Sequence, residues 1–258
     1  MKVVIYNDTT HAFNRTHFGC QLVMESMRDL LSEFEIIGTI PLNDCISGNV
    51  DHALLSEADL VIANGEGSYH HNRRPDFAKL SRRYPTALIN TVYEDNDDDL
   101  SDFLYIAARE SKSAELISKQ VSCDLVPDVI FTSKYLEGFK PSKGKGVVSV
   151  QHYPQMSQYK GITGYNRAVS TMQDKKSVIP QIASSDSIMT GSFHAGCVAA
   201  YYEKPVSLSE SNTHKMQGLA ADMGIDYESG KMETVDPDYV PMAQKQIHAM
   251  IDKLKRIN

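Results

Sequence analysis

Apolar residues fall in short runs separated by polar, glycine-bearing segments, and the runs alternate between two periods. Residues 3–6 form a continuous apolar run of the kind seen in a strand buried on both faces. Residues 18–31 then set Leu22, Val23, Met27, Leu30 and Leu31 at helical spacing. Strand-like runs return at 35–40, 60–63, 87–92 and 104–107; 110–119 reads as a helix, and 125–131 as a strand interrupted by Pro127. Strands alternating with helices predict parallel βαβ units.

The alternation breaks at 137–146 (EGFKPSKGKG), where Gly, Lys and Pro replace any apolar period. It restarts with strands at 147–150, 187–190 and 205–208 and helices at 195–202 and 215–223, the latter stopped by Gly224. A long helix, 241–254, closes the chain. The pattern predicts an α/β fold of two Rossmann-like lobes, residues 1–140 and 141–258, facing each other across a cleft. In such sheets ligands bind beyond the carboxyl ends of the strands.

Composition narrows the partners. With 258 residues, 41% hydrophobic and 23% charged, the chain can bury a sizeable core. A formal charge of -7 disfavours nucleic acid as a general partner. Arg73-Arg74 and Arg82-Arg83 nonetheless offer a local basic patch. No run approaches the ~20 apolar residues of a membrane span, and the chain opens on a strand pattern without signal-peptide features, so a cytoplasmic protein is expected. Cys20, Cys45, Cys123 and Cys197 lie far apart with no paired motif, the pattern of reduced thiols. No phosphate-loop, dinucleotide or zinc-protease motif is present, and no cofactor is expected.

Six polar segments sit at predicted strand ends. Residues 7–20 (NDTTHAFNRTHFGC) exceed the ~2–6 residues usual between a strand and its helix. They carry Asn7, Thr9, Arg15 and His17 as candidate acceptor contacts, with a helix start that could offer amides to an anion. In 64–71 (NGEGSYHH) glycines flank Glu66, a candidate general acid or base. His70 is a further acceptor candidate, but adjacent His70 and His71 diverge and chelate poorly, so no metal is expected. Arg109 opens a helix and suits phosphate or carboxylate. Asp128 follows Pro127 on an irregular strand end, a candidate nucleophile or second carboxylate. Ser192 and His194 begin the helix after strand 187–190, and His194 could hand a proton to a leaving phosphate. Ser211, Asn212 and Thr213 read as helix-capping residues, and with Lys215 they would make a phosphate cradle. Each segment alone also reads as an ordinary turn or cap; the set of six across both halves carries the functional reading.

In this order, Asn7…Gly19-Cys20, Asp59–Ile62…Gly65-Glu66-Gly67, Arg109-Glu110-Ser111, Val126-Pro127-Asp128, Gly191–Ala195, and Ser211–Lys215 followed by Asp222-Met223-Gly224 resemble the polysaccharide pyruvyl transferase superfamily over almost the whole chain. The resemblance implies the two-lobed architecture of GT-B glycosyltransferases. It also implies transfer either of phosphoenolpyruvate carbons onto sugar hydroxyls or, in looser relatives, of nucleotide-activated sugars, including CMP-linked ones. Where the family carries Gly-Arg-Phe-His, this chain has Gly191-Ser192-Phe193-His194. Loss of that arginine removes about 1.5–3 kcal/mol of charge-assisted binding. The expected activity is therefore a glycosyltransferase moving a nucleotide-activated sugar onto a glycan hydroxyl. Ketal pyruvyl transfer, sugar transfer to a hydroxymethylated base in DNA, and a non-catalytic glycan- or nucleotide-binding protein remain the alternatives. On this reading Glu66, Asp128 and His194 are catalytic. Arg109 at the cleft mouth and Ser192, Ser211, Asn212, Thr213 and Lys215 of the second lobe bind the donor, and the first lobe holds the acceptor.

Overall fold

The computed structural model describes residues 1–11, 16–66, 69, 76–142, 144, 146–151 and 164–257. Strands β1 (Lys2–Asp8), β2 (Glu35–Pro41), β3 (Leu60–Asn64), β4 (Thr86–Thr91), β5 (Tyr105–Ala108) and β6 (Asp124–Leu125) form a six-stranded sheet in the order β2-β1-β3-β4-β5-β6. Strands β7 (Val147–Gln151), β8 (Arg167–Ser170), β9 (Ser187–Thr190) and β10 (Val206–Leu208) form a four-stranded sheet in the order β10-β9-β7-β8. Every pairing within both sheets is parallel, so functional loops gather at one end of each sheet.

The helices are α1 (Phe18–Leu30), α2 (Leu42–Ser47), α3 (His52–Ser56), α4 (Phe77–Ser81), α5 (Ser111–Ser118), α6 (Lys134–Glu137), α7 (Lys175–Ala183), α8 (Phe193–Tyr201), α9 (Lys215–Asp222) and α10 (Tyr239–Leu254). None is long and apolar enough to cross a membrane. Alternate residues of β1 serve two cores. Val3 and Ile5 join a cluster that runs through the α1 face into Val148, Ile188 and Val206 of the second sheet. Val4 and Tyr6 join a second cluster on the opposite face of the first sheet. The larger core is therefore continuous between the two sheets. Helix α10 returns to the first sheet: Tyr239 packs edge-on against Phe131 at 5.4 Å, Gln244 donates to the Phe131 carbonyl at 2.9 Å, and Lys255 pairs with Glu33 at 2.7 Å.

The strand expected over 125–131 is cut to two residues. Pro127 has no N–H for a ladder, and the chain turns at Asp128 into a 3-10 turn, Val129–Thr132, capped by the Asp128 carboxylate on the Ile130 N–H at 3.1 Å. Strand β8 and helix α7 lie where the apolar pattern predicts no element; β8 is a four-residue edge strand and α7 contains Pro180.

Candidate functional site

The carboxyl end of β1 turns sharply at Asn7, whose φ is 68. Asn7 and Asn64 donate their side-chain amides to each other's carbonyls and tie the ends of β1 and β3 together. The Asn64 side chain also accepts from the Glu66 N–H at 3.2 Å, and so fixes the turn that presents Glu66. Gly65 is required in that turn, since a Cβ there would lie 2.1 Å from Thr91 Oγ1. Asn7 is fully buried and positions this corner rather than facing a ligand. Thr9 Oγ1 donates to Glu66 Oε2 at 2.6 Å.

Across the cleft, α8 begins at the carboxyl end of β9. Ser192 is its N-cap, with its N–H donated to Thr190 Oγ1 at 2.9 Å and no cap bond from its own side chain. In the first turn, His194 Nε2 lies 3.2 Å from Glu66 Oε1, 3.5 Å from Asp128 Oδ2 and 3.2 Å from Arg109 Nη1. With a proton on Nε2 the imidazole donates to either carboxylate; without it, the same nitrogen accepts from Arg109. Both proton states thus have a partner, the arrangement an acid–base group needs. His194 reaches this point because Gly19, in the first turn of α1, has no side chain: a Cβ there would lie 2.2 Å from His194 Nδ1. His17, the N-cap of α1, holds its ring 6.1 Å from that of His194.

Arg109 was expected at the cleft mouth as a donor contact. It is instead 1% exposed, paired with Asp128 Oδ2 at 2.9 Å and lying 4.1 Å over the Phe193 ring. Burial alone would raise the Asp128 carboxyl, but His194, Arg109 and the Ile130 N–H hold it below the usual carboxylate range. The nucleophile role expected for Asp128 does not fit: it is 0% exposed, and its two oxygens are taken up by Arg109, His194 and Ile130. The pair instead forms the buried base on which His194 rests.

Lys215 starts α9, 7% exposed, with its ammonium on Asn212 Oδ1. Asn212 Oδ1 also accepts from Ser211 Oγ at 3.2 Å, and Thr213 Oγ1 accepts from the Lys215 N–H at 3.4 Å. Burial, then the Arg109 guanidinium, push the Lys215 amine down to about 7, against the pull of Glu66, Glu94 and Glu110. The helix cap expected from Ser211, Asn212 or Thr213 falls instead on His214, which makes no side-chain cap bond. The anion site expected at the start of α1 is largely taken: the Phe18 N–H donates to the Thr171 carbonyl at 3.1 Å and the Cys20 N–H to His17 Nδ1 at 3.3 Å. By contrast, the first-turn N–H groups of α8 meet no acceptor among the described residues beyond Gly196 to the Ser192 carbonyl. Arg15 and His70 lie outside the described residues. Among those described, no group of three His, Cys, Asp or Glu is set to hold a metal ion.

Sequence reasoning noted Gly19 and Cys20 only within the resemblance and gave neither a role in the site. Burial and the neighbouring Glu66 carboxylate push the Cys20 thiol up. Sequence reasoning gave no role to His214 and did not single out Glu94 or Gly218. A glycine in the first turn of a helix was the one local signal for Gly19.

No family model matches the sequence, and no curated protein does. Solved structures are similar in fold. MnaA of S. aureus, solved with UDP, is 13% identical with a TM-score of 0.59 over 98% of this chain and 91% of that one. The UDP-GlcNAc 2-epimerase of Neisseria meningitidis bound to UDP-GlcNAc is 12% identical, TM-score 0.57, over 100% of both chains. An alpha-glucosyltransferase in complex with UDP and a 13-mer DNA containing a HMU base is 8% identical, TM-score 0.54, over 98% of this chain and 90% of that one. At these identities the likeness is one of fold. The class it defines is an α/β architecture of two Rossmann-like lobes, GT-B-like.

Proposed function

We propose that this chain transfers a sugar from a nucleotide-activated donor onto a hydroxyl acceptor. The observation that carries the reading is the meeting of His194 from the second sheet with Glu66 and Asp128 from the first. Lys215 and the first turn of α8 take the donor phosphates, and Ser211, Asn212 and Thr213 hold Lys215 in place. Glu66, steadied by Thr9, takes the acceptor proton as the acceptor oxygen bonds to the anomeric carbon. The bond from that carbon to the phosphate oxygen breaks, and the nucleotide leaves with the electron pair. His194 supplies or relays the proton, while Asp128 and Arg109 orient it. The acceptor lies on the side of residues 1–140, toward Thr9 and His17, and the donor on the side of residues 141–258.

The fold neighbours solved with UDP support a nucleotide donor. The family alternative, ketal transfer from phosphoenolpyruvate, has one cation fewer because Ser192 replaces the arginine. A DNA acceptor finds support in the glucosyltransferase neighbour solved with DNA, against an overall charge of -7. A second reading is epimerisation at the sugar's second carbon, favoured by the epimerase neighbours; it needs no acceptor.

A thermal-shift panel of UDP-, CMP- and GDP-sugars and phosphoenolpyruvate tests the donor. The true donor should stabilise the protein by about 2.7 kcal/mol at a hundredfold excess over its Kd. Glu66→Gln should keep that stabilisation and lower turnover by roughly 10²–10⁴. Stabilisation by phosphoenolpyruvate alone, or full turnover in Glu66→Gln, overturns the reading.

A further inference from the structure

The helix that carries Lys215 is fastened to the first lobe at its amino end. His214, the N-cap of α9, sets both ring nitrogens against first-lobe carboxylates. Nδ1 lies 3.3 Å from Glu94 Oε1 and Nε2 lies 3.4 Å from Glu110 Oε1, with Ser113 Oγ 3.2 Å from Nε2. The His214 backbone N–H donates to Glu94 Oε2 at 3.1 Å. Only an imidazolium has a proton on each nitrogen and can donate to both carboxylates at once.

Glu110 is itself immobilised. Its carboxylate accepts from the N–H groups of Lys112 and Ser113, at 2.9 and 3.0 Å, as the cap of α5. It presses onto Gly218 of α9, where a Cβ would lie 1.9 Å from Oε2. Further along the same seam the Ser111 N–H donates to Asp222 at 3.0 Å, and the Lys112 ammonium donates to Gln217. The charged groups around His214 are therefore Glu94 after β4, Glu110 and Lys112 at the start of α5, Lys215 beside it, and Asp222 at the far end of α9. Burial alone would lower the His214 imidazole, as would Lys112, but Glu110 and then Glu94 outweigh them and hold it above its ordinary value.

We propose that His214 is a positioning residue: as an imidazolium between Glu94 and Glu110 it clamps the start of α9 to the first lobe and thereby holds the Lys215 ammonium toward Glu66 and Arg109. The clamp stands on the contacts alone; the purpose of holding Lys215 rests on the donor reading above. When His214 loses its proton, one of the two carboxylates loses its donor, the clamp loosens, and the donor side of the cleft opens.

Two measurements on the full chain test the two halves separately. The first is a pH titration of the His214 ring by NMR on histidine-labelled protein, with the signal assigned by its loss in His214→Gln. Glu94→Gln, a half-exposed and isosteric change, should move the midpoint down by about one pH unit. A midpoint that stays put overturns the clamp. The second is UDP affinity at pH 6 by calorimetry for the wild type, His214→Gln, Lys215→Met and the double variant. Each single change should weaken binding about tenfold, the loss of one charge-assisted contact, and the double should bind no worse than Lys215→Met. Losses that multiply in the double variant overturn the positioning of Lys215. A wild type that binds none of UDP, CMP and GDP overturns the donor reading and the Lys215 half with it, and the Glu94→Gln titration alone then decides the clamp.

Discussion

Replacing Lys215 by Met should make the folded protein more stable at pH 6 than the wild type, although the change removes a charged group from the centre of the cleft. In the folded chain, burial and Arg109 bring the Lys215 amine from 10.5 down to about 7. At about 1.36 kcal/mol per pH unit, that difference corresponds to a penalty of about 5 kcal/mol for keeping the ammonium in place. The sign follows from proton counts. Between pH 7 and 10.5 the unfolded chain binds this proton and the folded chain does not, so raising the pH through that window favours the folded state. The penalty is complete below pH 7 and gone above 10.5. Met fills the same stem volume but lacks the bond to Asn212, worth about 1 kcal/mol. The net gain at pH 6 is then roughly 2–4 kcal/mol. Urea unfolding of both proteins at pH 6 and pH 10 measures it, the difference between them isolating Lys215 from every other titrating group. A variant less stable than the wild type at pH 6, or a gap of equal size at both pH values, refutes the reasoning. Under the donor reading proposed above, an anionic ligand beside Lys215 would offset that penalty.

Two further outcomes follow from the contacts of His194. Gly19→Ala puts a methyl 2.2 Å from His194 Nδ1 and 2.8 Å from its Cβ, so turning the ring is not enough and α8 must shift away from α1; the melting temperature and turnover should both fall, and a variant with unchanged melting temperature and normal turnover would refute this packing of His194 over Gly19. Asp128→Asn leaves the buried Arg109 guanidinium without its counter-charge and should destabilise the protein by about 3–5 kcal/mol in urea unfolding; an unchanged midpoint with lost turnover would return Asp128 to the role of nucleophile.

Strand and helix periodicity carried most of the architecture, because buried parallel strands read as unbroken apolar runs. Glu66, His194 and Lys215 were legible because each stands at a strand end next to a glycine or a helix start. What local sequence could not convey is which of these groups face one another. Arg109 and Asp128 each looked available to a ligand; only the fold shows them 2.9 Å apart and closed off by Phe193. Glu110 stood out only as the neighbour of Arg109, yet its partners in the second lobe, His214 and Gly218, lie about a hundred residues away in the chain. The start of α1 looked like an open anion site because its competitor, the Thr171 carbonyl, belongs to a strand end the pattern did not predict. Gly19 likewise has meaning only once His194 is brought over it.

The return of α10 to the first sheet bears on how such a protein could be rebuilt. Its apolar side, with Tyr239 against Phe131, completes the packing beneath the Val129–Thr132 turn, although it follows both sheets in the chain. A ribosome that has finished the first sheet has not yet made the helix that covers it, so neither half is a self-sufficient cassette. Exchanging the second sheets of two proteins of this architecture by a single splice near residue 140 would graft a foreign helix onto the native first sheet. A working chimera needs a second crossover ahead of Tyr239, so that each sheet keeps the helix it was shaped around.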